Sequence, residues 1–237
     1  MHRLIDTGLR IAEAMPQAIS IDNFIDSHRD NRLIALCGKI AIAHCITEAE
    51  RASKLFGSKS SGPDRRINFP ALEQTWFTKL FQLLTENCQS NELPKRLARV
   101  AIVCFNYDRC IEHFLFHGFQ KYYGLDSTTA AELLQSLEIH HPYGTIGALP
   151  WQDVSEGLEF GQYLNQDSLV SSANRLRTFT EGTDPNSSAI ARIQEVLKHA
   201  ERLMFLGFAY HRLNMQVLFP GIPEGSPTPR SVGMPGK

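Results

Sequence analysis

The order of apolar and polar positions divides this chain into a helical first part and a later region in which strands and helices alternate. In "SIDNFIDSHRDN", Ser20 stands as an N-cap, with Ile21, Phe24 and Ile25 at helical spacing behind it. "DNRLIALCGKIAIAHCITEAERASKLF" repeats apolar positions at Leu33, Leu36/Cys37, Ile40, Ala43/His44 and Thr47. That pattern predicts one long helix with a charged C-terminal half. Residues 57 to 70, "GSKSSGPDRRINFP", carry Gly, Ser, Pro and Asp without periodicity and read as loop. "ALEQTWFTKLFQLLTEN" is amphipathic again, with Leu72, Trp76, Leu80 and Leu83 near one face, and Pro94 punctuates before the first strand.

From residue 99 the period changes. "RVAIVCF" is a near-continuous apolar strand, of the kind buried on both faces in a parallel sheet. Its helix follows at once, with Ile111, Leu115, Phe119 and Tyr122 on one stripe. Phe114, Phe116, Phe119, Tyr122 and Tyr123 read as packing against the sheet and not as a base-stacking platform. "DSTTAAELLQSL" is a helix capped by Asp126 or Ser127, leading to a short strand "EIHH" and then "PYGTIG". "ANRLRTFTE" ends in another strand, "PNSSAIARIQEVLKHA" is a helix, and "ERLMFLGF" is a second buried-strand run before "RLNMQVLF". Strands alternating with crossover helices predict an α/β fold with a mostly parallel sheet. The boundaries are a helical N-terminal region over 1–92, an α/β core over 93–219, and a Pro/Gly-rich tail over 220–237 that is expected to be disordered.

Composition narrows the function classes. At 237 residues the chain can bury one sizeable core. A net charge of −1, from 24 basic and 25 acidic residues, makes no electrostatic case for nucleic acid or a membrane surface. No apolar run approaches the roughly 20 residues that span a bilayer. The opening "MHRLIDTGLRIAEAM" is amphipathic, too poor in Lys and Arg for a membrane anchor, and has no signal-peptide core. A cytoplasmic location is therefore expected. The five cysteines form no C-x-x-C pair, which argues against a disulfide framework or a four-thiolate zinc site. Glu112, His113 and His117 share helical spacing but lack the H-E-x-x-H order, so no metal is expected there.

Candidate chemistry gathers at three strand ends: "FNYD" (105 to 108), "HHPYGTIG" (140 to 147) and "LGFAYHRLN" (206 to 214). Ligands of an open parallel sheet bind in the crevice beyond the carboxyl ends of its strands, so the three ends would converge on one edge. Asn and Asp at such a junction also serve as helix caps, and the residues alone leave both roles open for Asp108.

"FNYDRCIEH", "HHPYGTIG" and "LMFLGFAYHRLNM", in that order and at these separations, resemble the bacterial sirtuin-like NAD-binding domains, over roughly residues 93 to 219. The resemblance implies a Rossmann-like, mostly parallel sheet with helices on both faces, and NAD as substrate. Asn106 matches the family's Asn that contacts the nicotinamide-side ribose and its reaction water. Asp108 matches the Asp of that motif, which orients the neighbouring loop or ligand. The general base falls on His141, with His140 and Tyr143 as competitors. Phe105, Tyr107, Tyr143, Gly144, Gly207 and Phe208 would lie along the dinucleotide, and Asn214 near its adenosine side. Phe105 stands where family members often carry Thr or Gln.

Two departures bear on the activity. The family opens with a strand and a Gly-Ala-Gly-x-Ser loop that cradles the pyrophosphate, whereas none of the sixteen glycines here forms Gly-x-Gly. The chain thus reads as a domain lacking its first strand, with reduced dinucleotide affinity and an unpaired edge that would favour self-association. The two C-x-x-C pairs of the protein-deacetylating members are absent as well. The resemblance then implies NAD glycohydrolysis, without a metal, as in bacterial anti-phage systems where such domains are coupled to sensor or partner proteins. The other reading is a truncated or degenerate, non-catalytic nucleotide-binding module.

Overall fold

Side-chain caps start α-helices at Ser20, Asn31, Asp126 and Asn165, where local chemistry requires them. The computed structural model describes residues 2–57, 67–178, 181 and 188–220. Helix α1 (His2–Ala14) precedes α2 (Ile21–Ser27), where Ser20 Oγ accepts the Asn23 N–H at 3.1 Å. Helix α3 (Arg32–Ala52) begins at Asn31, whose Oδ1 accepts the N–H groups of Leu33 and Ile34. Helices α4 (Trp76–Thr85) and α5 (Leu93–Leu97) lead to strand β1 (Ala101–Val103). Helices α6 (Cys110–Tyr123) and α7 (Ser127–Leu134) form the crossover to β2 (Glu138–His140). Asp126 caps α7 by accepting the Thr129 N–H at 2.8 Å, and Asn165 does the same for α8 (Gln166–Arg175) through Ser168.

The two strands run parallel, with Ala101 opposite Glu138, Ile102 opposite Ile139 and Val103 opposite His140. The ladder continues one residue further, where the Cys104 N–H donates to the His140 carbonyl at 2.8 Å. The chain is thus mixed α/β with a parallel strand pair, and helices dominate it. The larger sheet with helices on both faces is not seen: among the described residues the sheet has two strands.

Two compact units are present, Met1–Gly182 and Thr183–Lys237. The first contains α1 to α8 and both strands. Its main core surrounds α6, where Phe114, Leu115 and Phe119 meet Leu93 and Leu97 of α5 and Ala130, Leu133 and Leu134 of α7. Each such fully buried Leu or Phe contributes about 1.5–3 kcal/mol of transfer free energy. The rings of Phe77 and Phe81 close this core against Phe114, at 5.2 and 5.9 Å between centroids. A smaller cluster joins Ile25, Ile42, Ala43, Ile146 and Leu176 where α2 and α3 meet α8 and the 144–149 loop.

The second unit holds α9 (Ser188–His199) and α10 (Arg212–Leu218). Between them, "ERLMFLGF" forms no strand: Leu203, Met204 and Leu206 are exposed, and no ladder partner exists for the run among the described residues. An apolar run supplies a strand only when a neighbour takes its N–H and C=O groups. In "ANRLRTFTE" the described residues form no strand: α8 continues to Arg175, after which the Arg177 N–H donates to the Tyr143 carbonyl, and residues 179 and 180 lie outside the described residues.

Three predicted faces shift. Helix α4 buries Leu84 and packs Phe77, Leu80 and Phe81 inward, leaving Trp76 and Leu83 exposed. Tyr122 ends the α6 stripe in solvent, while its neighbour Tyr123 donates to the Cys88 carbonyl at 2.8 Å. The charged half of α3 buries Glu50. Residues 58–66 of the expected loop and 221–237 of the expected tail lie outside the described residues.

Candidate functional site

The carboxyl ends of β1 and β2 lie side by side, because the two strands are hydrogen-bonded neighbours in parallel register. After β1 the chain turns through Asn106, Tyr107 and Asp108 into α6. Asp108 Oδ1 accepts the Cys110 N–H at 3.0 Å, an Asx-type turn into α6, whose N-cap position is Arg109 and carries no side-chain capping bond. Asn106 is exposed at the mouth of the turn. Tyr107 points the other way, its hydroxyl 2.9 Å from Asp22 Oδ1 and 3.0 Å from the Arg177 carbonyl. Burial is the main cause holding the Asp22 carboxyl above its usual range, against the hydrogen bond from Tyr107. Burial and the adjoining Asp22 hold Tyr107 well above the usual phenol range.

His141, one residue past β2, folds back onto this turn. Its Nδ1 lies 3.0 Å from the Asn106 carbonyl oxygen, and its Nε2 lies 2.7 Å from Glu112 Oε1 on α6. The two side chains are 9% and 6% exposed. Burial alone would disfavour the charged ring, but hydrogen bonds to Cys104 and Glu112 and the Glu112 charge outweigh it, and His141 is raised to about 11. Both residues line a cavity of about 540 Å³, walled also by Leu134, Leu137 and Ile139, the 144–152 loop with Trp151, and Arg109 and Arg175.

The other candidates are placed as follows. His140 turns to Glu138, with Nε2 3.1 Å from Oε2. Tyr143 is buried, its ring 5.8 Å from Phe105 and 6.4 Å from Tyr107, so these three aromatics pack together behind the turn. Gly144 lines the cavity at φ +76°, where an added Cβ would land on the Arg175 carbonyl oxygen. Gly207, Phe208 and Asn214 belong to the second unit. Gly207 has φ +60° with open space around it, Phe208 packs 5.2 Å from Phe205 and 5.1 Å from Tyr210, and Asn214 lies on α10. His113 Nε2 lies 3.2 Å from the Leu55 carbonyl oxygen, and its ring stacks on Phe160 at 4.0 Å. Burial pushes this imidazole down to about 3, leaving it neutral. Among the described residues no group of three His, Cys, Asp or Glu side chains is placed to hold a metal ion.

Sequence reasoning missed the residues that build this wall. Arg109 and Glu50, each 1% exposed, form a buried pair: Nε reaches Oε1 at 3.0 Å and Nη2 reaches Oε2 at 2.6 Å. Glu50 also accepts the Arg109 and Gly161 backbone N–H groups. Arg109 donates to the carbonyls of Leu158 and Glu159 and, more weakly at 3.4 Å, of Ala148, which pins the 148–161 loop beside α6. Glu112 was read as half of an unsupported metal pair. It is instead 5% exposed and faces β2. The available signal was a charged residue at i+1 from Ile111, on a helix too apolar to leave that side in water. Comparison with protein-family models, with curated proteins and with solved structures finds no match for this chain.

Proposed function

We propose that this protein is a sirtuin-like NAD-binding protein that cleaves the nicotinamide–ribose bond, of the kind used in bacterial anti-phage defence. The observation carrying the reading is the 3.0 Å bond from His141 to the Asn106 carbonyl, which joins two motifs 35 residues apart at adjacent strand ends. Bond cleavage passes through an oxocarbenium-like state, for which an Asn positions water and a neighbouring group takes its proton. Asp108 serves here by holding the helix entry that carries Asn106. Tyr107, Phe105 and Tyr143 support the same turn from behind, while Gly144 keeps the cavity wall thin.

Incubating the purified chain with NAD and following nicotinamide release tests this directly. Release is expected from the wild type, with a fall of about 100-fold or more in Asn106→Ala. No release by the wild type, alone or with candidate partner proteins, overturns the reading, as does undiminished release by the variant.

A second reading, a non-catalytic nucleotide-binding module, draws on the absence of any Gly-x-Gly in the sequence and on the two-stranded sheet. Without a backbone cradle for the pyrophosphate, dinucleotide affinity is lower than a Rossmann site supplies. Binding of NAD in calorimetry without turnover selects this reading.

A further inference from the structure

We propose that the proton acceptor in the cavity wall is Glu112, through Oε2, and that His141 is its positioning partner, an imidazolium that donates both ring protons. The neighbours of the ring decide this. Nδ1 faces the Asn106 carbonyl oxygen at 3.0 Å; that atom only accepts, so Nδ1 carries a hydrogen. Nε2 faces a carboxylate oxygen at 2.7 Å, so the second nitrogen is also engaged by an acceptor. A ring bonded in this way has no lone pair left for water or substrate. His141 is therefore unsuited to the base role that its sequence position suggests.

Glu112 has what the histidine lacks. Oε1 is committed to His141, while Oε2 is sealed from bulk solvent and has no hydrogen-bond partner among the described residues. The residue is 5% exposed and sits in the cavity wall beside His141. A buried acceptor without a partner is costly, and a ligand or water that donates to it removes that cost. The other charged or titratable groups around the pair do not compete as acceptors. The Cys104 thiol is engaged by the His141 ring and lies 3.9 Å from the Asn106 carbonyl oxygen, Arg109 is matched by Glu50, and Arg175 bridges to Glu156 at 3.2 Å.

The catalytic part of this proposal rests on the glycohydrolase reading, whereas the protonation states do not. In that reaction the proton of the attacking water passes to Glu112 Oε2. The O–H electron pair becomes the bond to the anomeric carbon, and the C–N pair leaves with nicotinamide. Glu112 then returns its proton to solvent. NAD⁺ and water thereby give ADP-ribose, nicotinamide and one proton.

Nitrogen-15 and carbon-13 NMR of the full chain, labelled at histidine and glutamate, tests the protonation states without any substrate. Both His141 ring nitrogens are expected to stay protonated from pH 6 to 9, with an ionised Glu112 carboxylate at pH 7.5. A neutral His141 ring or a protonated Glu112 at pH 7.5 overturns the proposal. Nicotinamide release supplies the second arm. Glu112→Gln should lower kcat by about 100-fold or more with little change in KM. His141→Gln should retain more activity than Glu112→Gln and should move the acid limb of the pH profile upward, since the carboxylate loses its imidazolium. A His141→Gln loss larger than that of Glu112→Gln, with an unmoved acid limb, overturns the assignment. If the wild type releases no nicotinamide while the NMR states are as expected, the NAD reading falls and the assignment of Glu112 as the free acceptor stands.

Discussion

At the residue scale, the site depends on positions where one side chain more or less changes the local geometry. Gly144 is the sharpest case, since its φ of +76° is unfavourable for any L side chain and an added methyl would strike the Arg175 carbonyl. Gly144→Ala should therefore destabilise by more than about 1 kcal/mol, and the strain falls on the cavity wall. Gly207 supplies the control, with a similar φ of +60° but open space around it. There the Ala substitution should cost only the backbone penalty, about 1 kcal/mol. Urea denaturation of both variants measures the difference, and equal losses would remove the clash as an explanation. Asp108 illustrates a different point: its carboxylate holds an α6 backbone N–H, so Asp108→Ala changes helix entry as well as any chemistry at the turn.

At the element scale, what was legible in the sequence is what local chemistry decides. Ser20 and Asp126 cap their helices because a short oxygen-bearing side chain before an apolar period has few other uses. The run behind β1 was legible through its apolar strength and the polar stop that follows it. Partners distant in sequence were not. Glu50 sits in a charged stretch that reads as solvated, and only the fold supplies Arg109, 59 residues later. "ERLMFLGF" fails for the converse reason: apolarity marks a run without saying whether a ladder awaits it. The α4 face, read one position off, depends on where Phe114 and Phe119 present their rings.

The Glu50–Arg109 pair carries its own prediction. Glu50→Gln or Arg109→Met leaves a buried partner unmatched and should cost about 3–5 kcal/mol. Replacing both residues by apolar ones rescues many buried pairs, but here it should not. The pair also satisfies the Arg109 and Gly161 N–H groups and the Leu158 and Glu159 carbonyls, which an apolar pair would orphan. Denaturant midpoints of the singles and the double should thus be similarly low, and recovery in the double would show that the backbone bonds contribute little.

At the scale of the whole Met1–Gly182 unit, two histidines with opposite shifts shape stability against pH. His113 is held down to about 3 by burial, so its folded form resists a proton that the unfolded chain accepts below pH 6.5. Its contribution is complete above pH 6.5 and is lost as pH falls toward 3. His141 is held up at about 11, burial being outweighed by the Cys104 and Glu112 contacts. Its contribution is complete below pH 6.5 and is lost as pH rises toward 11. Between those limits the unfolded state binds more protons than the native state on the acid side and fewer on the alkaline side. Stability should therefore peak near pH 6.5 and fall on both sides, by at most about 1.4 kcal/mol per pH unit for each histidine. Urea midpoints between pH 5 and 6.5, above the titration of ordinary carboxylates, report the acid limb less the opposing effect of the raised Asp22 carboxyl, and those between pH 7 and 9 report the other. His113→Phe keeps the stack on Phe160 and should flatten the acid limb alone, though the lost bond to the Leu55 carbonyl lowers the whole curve. Glu112→Gln should flatten the alkaline limb alone, because without the carboxylate the His141 ring loses its main charged partner. A variant that lowers stability equally at every pH, with both limbs intact, would mean that its histidine does not set the curve.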